Sequence, residues 1–191
     1  MIKKNFSIIL LLVSISVVGC ATATYHAGNE IFYSSAEALQ RLNEISSSIL
    51  AGIQPTDHPV HGRALFLLPS DNEIQKNYIR WSNNASRLEK EQVDYTITFI
   101  RNDKITVADA ARKRGIFDSV EIEKHNGSPT THPIGIYDFM VFLDVDGWFI
   151  KGKTDSKILK IFMDKSKSSG ITRTISVLDS IQKQAESLIK Q

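Results

Sequence analysis

Three histidines are the strongest candidates for metal ligands in this chain of 191 residues. His58 and His61 lie in the segment PTDHPVHGR, and His132 follows later. Imidazole groups bind zinc, and three protein ligands leave a position open for a reacting water, so convergence of the three would allow metal-dependent hydrolysis. The prolines and glycine of the segment suit an exposed loop equally well, and no His-Glu-x-x-His helix fixes a geometry. We therefore predict no metal site and keep the three histidines as candidates.

Two charged segments could bind other ligands. The segment 144–147, DVDG, contains part of a calcium-loop pattern. Placing Gly147 at the sixth loop position, however, puts Phe142 at the first, where an oxygen ligand is needed. The run Arg112-Lys113-Arg114 could bind phosphate or acidic partners. It also falls in the last turn of a predicted helix, where cations complement the helix dipole, and this gives it a structural explanation.

The sequence motifs of nucleophilic catalysis and of nucleotide binding predict no active site in this chain. We find no Gly-x-Ser-x-Gly nucleophile elbow and no dinucleotide fingerprint, and we expect no phosphate-binding loop. The acidic residues show no isolated pair in an apolar setting, which would mark a tuned general acid and base. The sequence thus predicts a protein that is not an enzyme and that has no cofactor.

Cys20 is the only cysteine and follows an apolar run from Phe6 to Val18, which Lys3 and Lys4 precede. This run is shorter than the ~20 apolar residues of a membrane-spanning helix. The tetrapeptide Val17-Val18-Gly19-Cys20 resembles the lipobox of bacterial lipoprotein signal peptides. The resemblance implies cleavage before Cys20 and acylation of its thiol with diacylglycerol, in many bacteria with a third acyl chain such as palmitate. An ordinary secretory signal cleaved near 21–23, Ala-Thr-Ala, is the alternative.

The lipobox resemblance also implies a location. Two or more acyl chains form a stable membrane anchor. In enteric bacteria an aspartate after the cysteine retains a lipoprotein in the inner membrane, so Ala21 favours the outer membrane, with the body facing the periplasm. Lys3 and Lys4 of the leader account for the formal net charge of +2. The rest of the chain is neutral, which argues against nucleic-acid binding and leaves the lipid as the expected membrane contact.

The chain divides into a leader, a linker and one body. We predict a signal peptide over 1–19, a lipid-anchored tether over 20–33, and a single globular domain over 34–191. A body of this length is a usual size for one domain with its own core.

Apolar spacing and capping residues predict the elements of the body. The capping box Ser34-x-x-Glu37 begins a first helix, and the apolar run 64–68 is a central strand buried on both faces. A second capping box, Ser70-x-x-Glu73, opens a long helix. Alternating apolar residues predict a strand over 95–101, and Thr106 is expected to cap a short helix that ends at Arg114.

The second half of the body contains the clearest local pattern. Residues 136–153 alternate around Asp146-Gly147, which predicts a β-hairpin that pairs Leu143 with Ile150 and Val141 with Gly152. Helical spacing resumes at Thr154, and a last amphipathic helix includes residues 175–188. The order predicts an α/β (α+β) fold, in which amphipathic helices cover a mixed sheet of about four to five strands.

Three functions are compatible with this body. The segment 110–120, from Ala110 to Val120, resembles segments of accessory envelope lipoproteins, including activators of cell-wall synthases. This resemblance implies a non-enzymatic factor that docks onto an envelope protein. The alternative is a lipoprotein that binds a small ligand, such as a lipid, glycan or metal, in a pocket lined by Tyr78, Trp81 or Trp148. A metal-dependent hydrolase would require His58, His61 and His132 to converge.

Overall fold

The computed structural model describes residues 23–81, 90–124, 136–144, 156–161, 163 and 170–190, and for 77–81 only the backbone. Six strands and four helices occur in these ranges. They are β1 (Tyr25–Ala27), β2 (Glu30–Phe32), α1 (Ser35–Gly52), β3 (Arg63–Leu68), α2 (Asp71–Trp81), α3 (Lys90–Arg114), β4 (Ser119–Lys124), β5 (Phe139–Leu143), β6 (Lys157–Ile161) and α4 (Ile171–Ile189).

Four strands form a parallel sheet in the order β4-β3-β5-β6, and β1 and β2 form a separate antiparallel pair. The predicted α/β fold class and the single compact body are confirmed. Strand β3 lies inside the sheet, as predicted, and all residues from Ala64 to Leu68 are at most 1% exposed. The continuous apolar run therefore marks a strand that packs on both faces.

The two faces of the sheet bury different side chains. On the first face, Phe66, Phe117 and Phe139 are in contact, with ring centroids 6.3 and 5.1 Å apart. Small residues of α3, such as Ala108, and apolar residues of α4, such as Leu178, pack into this core. On the second face a smaller cluster is buried, consisting of Leu65, Leu67, Tyr137, Met140 and Phe142.

The predicted pairing of the 136–153 hairpin is wrong, as the neighbours of β5 show. The first strand of that hairpin exists, but both of its edges are occupied by parallel neighbours: Val141 is paired with Phe66 of β3 and with Leu159 of β6. Val141 therefore cannot pair with Gly152, and the four-stranded sheet is parallel within the described residues rather than mixed as predicted. The predicted turn at 146–147 lies outside the described residues.

Three further predictions, two of element type and one of a helix start, are wrong. Residues 95–101 are part of the long helix α3, and Thr106 lies inside it rather than at its start. Tertiary contacts with α1 favour the helix, because Asn102 and Thr106, one turn apart, both hydrogen-bond the Ser46 hydroxyl at 3.0 and 2.9 Å. Residues 157–161, expected to be helical, form β6, in which Leu159 and Ile161 alternate into the core.

The helix termini follow the sequence closely. Ser34 is the N-cap of α1 and accepts a hydrogen bond from the backbone N–H of Glu37. Before α2, Ser70 and Glu73 form a reciprocal capping box, with distances of 2.8 and 3.1 Å. Gly115, just past α3, has a φ of +69°, the left-handed conformation expected there. None of the helices in the described ranges is long and apolar enough to cross a membrane.

The segment expected to be a tether is partly folded. Strands β1 and β2 pair through residues 25–32, and their inner side chains pack on α1 and α3. Tyr25 and Ala27 are buried, and the Tyr25 ring contacts Tyr95 of α3 edge to face, 5.0 Å between centroids. The body therefore begins well before the predicted boundary at residue 34, while the predicted signal peptide over 1–19 lies outside the described residues.

Candidate functional site

Several predicted site residues fall outside the part of the chain that the structure describes. They include Cys20, His132 and Trp148, and the side chains of Tyr78 and Trp81 are likewise not described. The lipid site and the aromatic pocket therefore remain predictions.

His58 and His61 lie in the loop before β3, and each contacts a different element. His61, whose backbone is left-handed with a φ of 62°, lies with Nδ1 2.9 Å from Oδ1 of Asp118. The carbonyl of His58 accepts a hydrogen bond from the side-chain amide of Gln182, at 2.8 Å. Within the described ranges, no three His, Cys, Asp or Glu residues lie together as a metal would require.

The Asp118 carboxylate accepts hydrogen bonds at the amino-terminal end of the sheet. Its Oδ2 accepts a hydrogen bond from the backbone N–H of Gly62 at 2.6 Å. That hydrogen bond, followed by the contact with His61, holds the pKa of the Asp118 carboxyl below its usual value. The group is exposed, and its contacts join the loop before β3 to the start of β4.

The basic run at the end of α3 makes contacts within the fold. Arg112 donates to the carbonyl of Val120 at 2.9 Å, and Lys113 donates to the carbonyl of Leu50 at 2.6 Å, near the end of α1. Arg114 forms an ion pair with Asp179 of α4 at 2.7 Å. Each cation thus joins α3 to a different neighbour, which gives the run a structural role.

At the carboxyl-terminal end of the sheet a lysine and an aspartate form a buried ion pair. Lys104 of α3 is 3% exposed, and its Nζ lies 2.5 Å from Oδ2 of Asp144, the residue after β5. The other oxygen of Asp144 accepts a hydrogen bond from the backbone N–H of Met163 at 2.6 Å. Both carboxylate oxygens are therefore engaged by protein groups, which weakens the case for a calcium site at 144–147.

A second ion pair lies beside the first. Arg173 of α4 pairs with Asp103 of α3. Burial raises the pKa of the Asp103 carboxyl, and the positive charges of Arg173 and Lys104 oppose this effect. Ligands of parallel α/β sheets bind outside the carboxyl ends of the strands. Here paired side chains occupy that position next to β5.

A phosphate-binding pattern that we did not expect occurs in the sequence. Residues 147–154, GWFIKGKT, match Gly-x-x-x-x-Gly-Lys-Ser/Thr. In a phosphate-binding loop this pattern opens a helix after a strand, so that the helix N-terminus faces the phosphates. The pattern itself lies outside the described residues, and strand β6 begins at Lys157. A strand follows it where a helix is required, and we do not assign nucleotide binding to it.

A depression lies between the first turns of α1 and α3, with a volume of about 440 Å³. Leu39 and Tyr95 form part of its apolar lining, and Glu91 and Asp94 are at its polar side. The hydroxyl of Ser35 donates to Glu91 at 2.6 Å across it. The volume lies within the usual range of small-ligand sites.

The hairpin of β1 and β2 presents an unusual outer surface next to this depression. Its inner residues pack on the helices, whereas Ile31 is 57% exposed and Tyr33, just after β2, is 73% exposed. His26 of β1 is paired with Ile31 and therefore lies on the same side. We name His26, Ile31 and Tyr33 the hairpin surface.

Sequence reasoning missed the hairpin surface, although a signal was present. Gly28-Asn29 stands between two short segments that alternate inward and outward side chains. Gly28 has a φ of 62°, and a glycine in the first central position is typical of a two-residue hairpin turn. The strands have only three residues each, which is too short for periodicity alone to predict.

Comparison with known proteins found no protein similar to this chain. No family model, no curated protein and no solved structure matches the chain.

Proposed function

We propose that this chain is a bacterial envelope lipoprotein, anchored by acyl chains on Cys20 in the outer membrane and facing the periplasm, that docks onto an envelope protein without catalysis. The observation that carries the proposal is the lipobox-like Val17-Val18-Gly19-Cys20 followed so closely by folded structure. Tyr25, the fifth residue after Cys20, is already buried against α3. An anchor at Cys20 would hold the whole body at the membrane.

An apolar stripe on α4 supports docking onto a protein. Ile171, Ile175 and Ile189 are 38%, 37% and 51% exposed. Their spacings of four and fourteen residues place them on one side of the helix, because α-helices repeat every 3.6 residues. Aligned exposed apolar residues are typical of an interaction surface. We name these three residues the α4 stripe.

Acylation is tested directly with Cys20→Ala. We expect the wild-type protein to incorporate labelled palmitate and to fractionate with membranes. The variant should lose the label and remain uncleaved or become soluble. Labelled palmitate that persists in Cys20→Ala would contradict the anchor.

Docking is tested by crosslinking in cells, followed by purification and mass spectrometry of the captured proteins. We expect one dominant envelope partner with the wild-type protein and its loss when Ile175 and Ile189 are both replaced by glutamate. Gln184→Glu is the matched control, because Gln184 is exposed on another side of the same helix. Equal capture by all three proteins would exclude the α4 stripe as the docking surface.

Binding of a small ligand is the second candidate function, and the depression between α1 and α3 favours it. Leu39→Trp would fill this space with a larger side chain. If the protein binds a lipid or glycan there, calorimetry should detect binding to the wild-type protein and its loss in Leu39→Trp. Unchanged binding in the variant would place the ligand elsewhere.

A further inference from the structure

We propose that the hairpin surface, formed by His26, Ile31 and Tyr33, rests on the bilayer that carries the lipid anchor and so orients the body on the membrane. This inference rests on the acylation of Cys20 proposed above. It concerns a different surface from the α4 stripe, and it names the lipid headgroup region as the occupant.

The first argument is the distribution of side chains across the hairpin. A two-stranded sheet that packs one face on a protein core usually has polar residues on the other face. Here Phe32 packs inward, while its neighbours Ile31 and Tyr33 point outward and are more than half exposed. An isoleucine and a tyrosine together on the outer face indicate contact with something less polar than water.

The second argument is the rigid attachment of the hairpin to the body. The Tyr95 hydroxyl donates to the carbonyl of His26 at 2.6 Å, which fixes β1 to α3. On β2, Arg41 of α1 donates from Nε and Nη2 to Oε1 of Glu30 at 2.9 and 2.7 Å. The hairpin therefore cannot swing freely, and its orientation sets the orientation of the body.

The third argument is the length of chain between the anchor and the hairpin. An extended chain spans at most ~3.6 Å per residue, so Tyr25 lies within about 18 Å of the acylated Cys20. The headgroup region occupies about 5–8 Å on each side of the hydrocarbon core. The start of the hairpin is thus held within a short reach of the membrane surface.

The chemistry of the outer face fits the headgroup region. Tyrosine is enriched at membrane–water interfaces, because its ring is apolar and its hydroxyl forms hydrogen bonds with polar groups. Isoleucine adds apolar area that can enter the boundary of the acyl chains. The nearby carboxylate of Glu30 is ion-paired with Arg41, so it does not present an uncompensated negative charge to the lipid.

The experiment uses spin labels on the full-length protein, produced in a bacterial host that acylates it and reconstituted in phosphatidylethanolamine–phosphatidylglycerol vesicles. Cys20 is the only cysteine and its thiol is acylated, so Ile31→Cys supplies a single reactive thiol. Asp57→Cys is the matched control. Asp57 is exposed, and it lies in a loop that is hydrogen-bonded to Arg114 at the end of α3. Tyr95, which contacts the hairpin, lies about 28 Å from Arg114 along the same helix.

We expect the label at position 31 to collide more often with oxygen, which concentrates in lipid, than with a water-soluble nickel complex. The label at position 57 should show the reverse ratio. The same aqueous ratio at both positions, with acylation confirmed by intact mass, would overturn the inference and leave the anchor standing. A label at 31 shielded from both reagents would also overturn it, because a protein contact would then cover the hairpin. An intact mass without acyl chains would overturn both the anchor and this inference.

Discussion

The two ends of the parallel sheet hold their charged groups in opposite ways. At the amino-terminal end, His61 and Asp118 are 71% and 56% exposed and tie a loop to β4. At the carboxyl-terminal end, the side chains of Lys104 and Asp144 are only 4% and 21% exposed, and they join α3 to the end of β5. Exposed pairs contribute little to stability, whereas breaking a buried pair leaves an uncompensated charge. The two ends should therefore respond very differently to the loss of one carboxylate.

The comparison also bears on where function can lie. The carboxyl-terminal end of a parallel sheet is the usual position of a ligand site. Here the buried pair between Lys104 and Asp144 occupies part of it and joins two elements of the core. This arrangement makes two surfaces outside the sheet, the hairpin surface and the α4 stripe, the first places to test for the proposed membrane and protein contacts.

The largest effect is expected for Asp144→Asn, which removes the charge that Lys104 faces. We expect the free energy of unfolding to fall by about 3 kcal/mol, because the lysine ammonium remains buried without its counter-charge. Asparagine also tolerates the left-handed backbone at this position, where φ is 52°, so the change isolates the charge. Urea unfolding of the mature protein in detergent, followed by circular dichroism, measures the loss.

Asp118→Asn is the matched control at the exposed end. It makes the same chemical change, and we expect a smaller loss than for Asp144→Asn. If the two variants lost the same stability, burial would not distinguish the two ends. Replacing Lys104 with methionine in the Asp144→Asn background should recover part of the loss, since no charge then remains unpaired.

An intermediate effect is expected for Gly62→Ala at the amino-terminal end. Gly62 has a φ of +94°, and an added Cβ would lie 3.0 Å from Oδ2 of Asp138. This carboxylate oxygen also accepts the backbone N–H of Arg63 at 2.7 Å, so it cannot move without weakening that bond. Backbone strain of about 1–2 kcal/mol adds to this crowding. Thermal unfolding should show a clear fall in Tm.

Gly115→Ala separates strain from crowding. Gly115 also has a positive φ, of +69°, but among the described residues no atom beyond its chain neighbours lies within 4 Å of an added Cβ. We therefore expect a smaller fall in Tm than for Gly62→Ala. Equal falls would show that the Asp138 side chain moves aside at no cost and that only the backbone conformation matters.

Local signals in the sequence predict much of the fold. Capping boxes at Ser34 and Ser70 mark helix starts, and the uninterrupted apolar run of β3 marks a buried central strand. Capping boxes depend on neighbours in the chain, and the apolar run reflects complete burial. Each is therefore visible directly in the sequence. They are sufficient for the fold class, the central strand and the final helix.

The errors arise where contacts distant in sequence decide the structure. Residues 95–101 alternate like a strand, yet α3 is helical there and packs along α1, which lies some fifty residues earlier. The pairing of β5 depends on β3 and β6 arriving on both of its edges. The ion pair of Lys104 with Asp144 likewise joins residues 40 positions apart. No local pattern encodes such partners, which explains why these elements and the charged site were missed.

The smallest effect, and the finest test of the comparison, is the pH dependence of two aspartates. The pKa of Asp118 is lowered by the Gly62 N–H, so its unfolded form keeps a proton at higher pH than its folded form. Its stabilising contribution is therefore present above about pH 4 and is lost as the pH falls through the lowered folded pKa. The pKa of Asp103 is raised by burial, so its contribution to stability changes with pH in the opposite direction. Its contribution is complete below about pH 4 and is lost as the pH rises through the raised folded pKa.

Carboxyl carbon chemical shifts, followed by NMR during a pH titration, report both groups separately. We expect Asp103 to titrate above the usual value for aspartate and Asp118 below it. The stability of the wild-type protein relative to Asp118→Asn should then increase with pH, and its stability relative to Asp103→Asn should decrease. If the two aspartates titrated together, Arg173 and Lys104 would cancel the effect of burial at Asp103. Burial would then not distinguish the pKa of an aspartate at the carboxyl-terminal end from that at the exposed end. Opposite shifts would instead show that a charged aspartate stabilises the amino-terminal end of the sheet, whereas at the carboxyl-terminal end the charge of an aspartate lowers the stability of the fold.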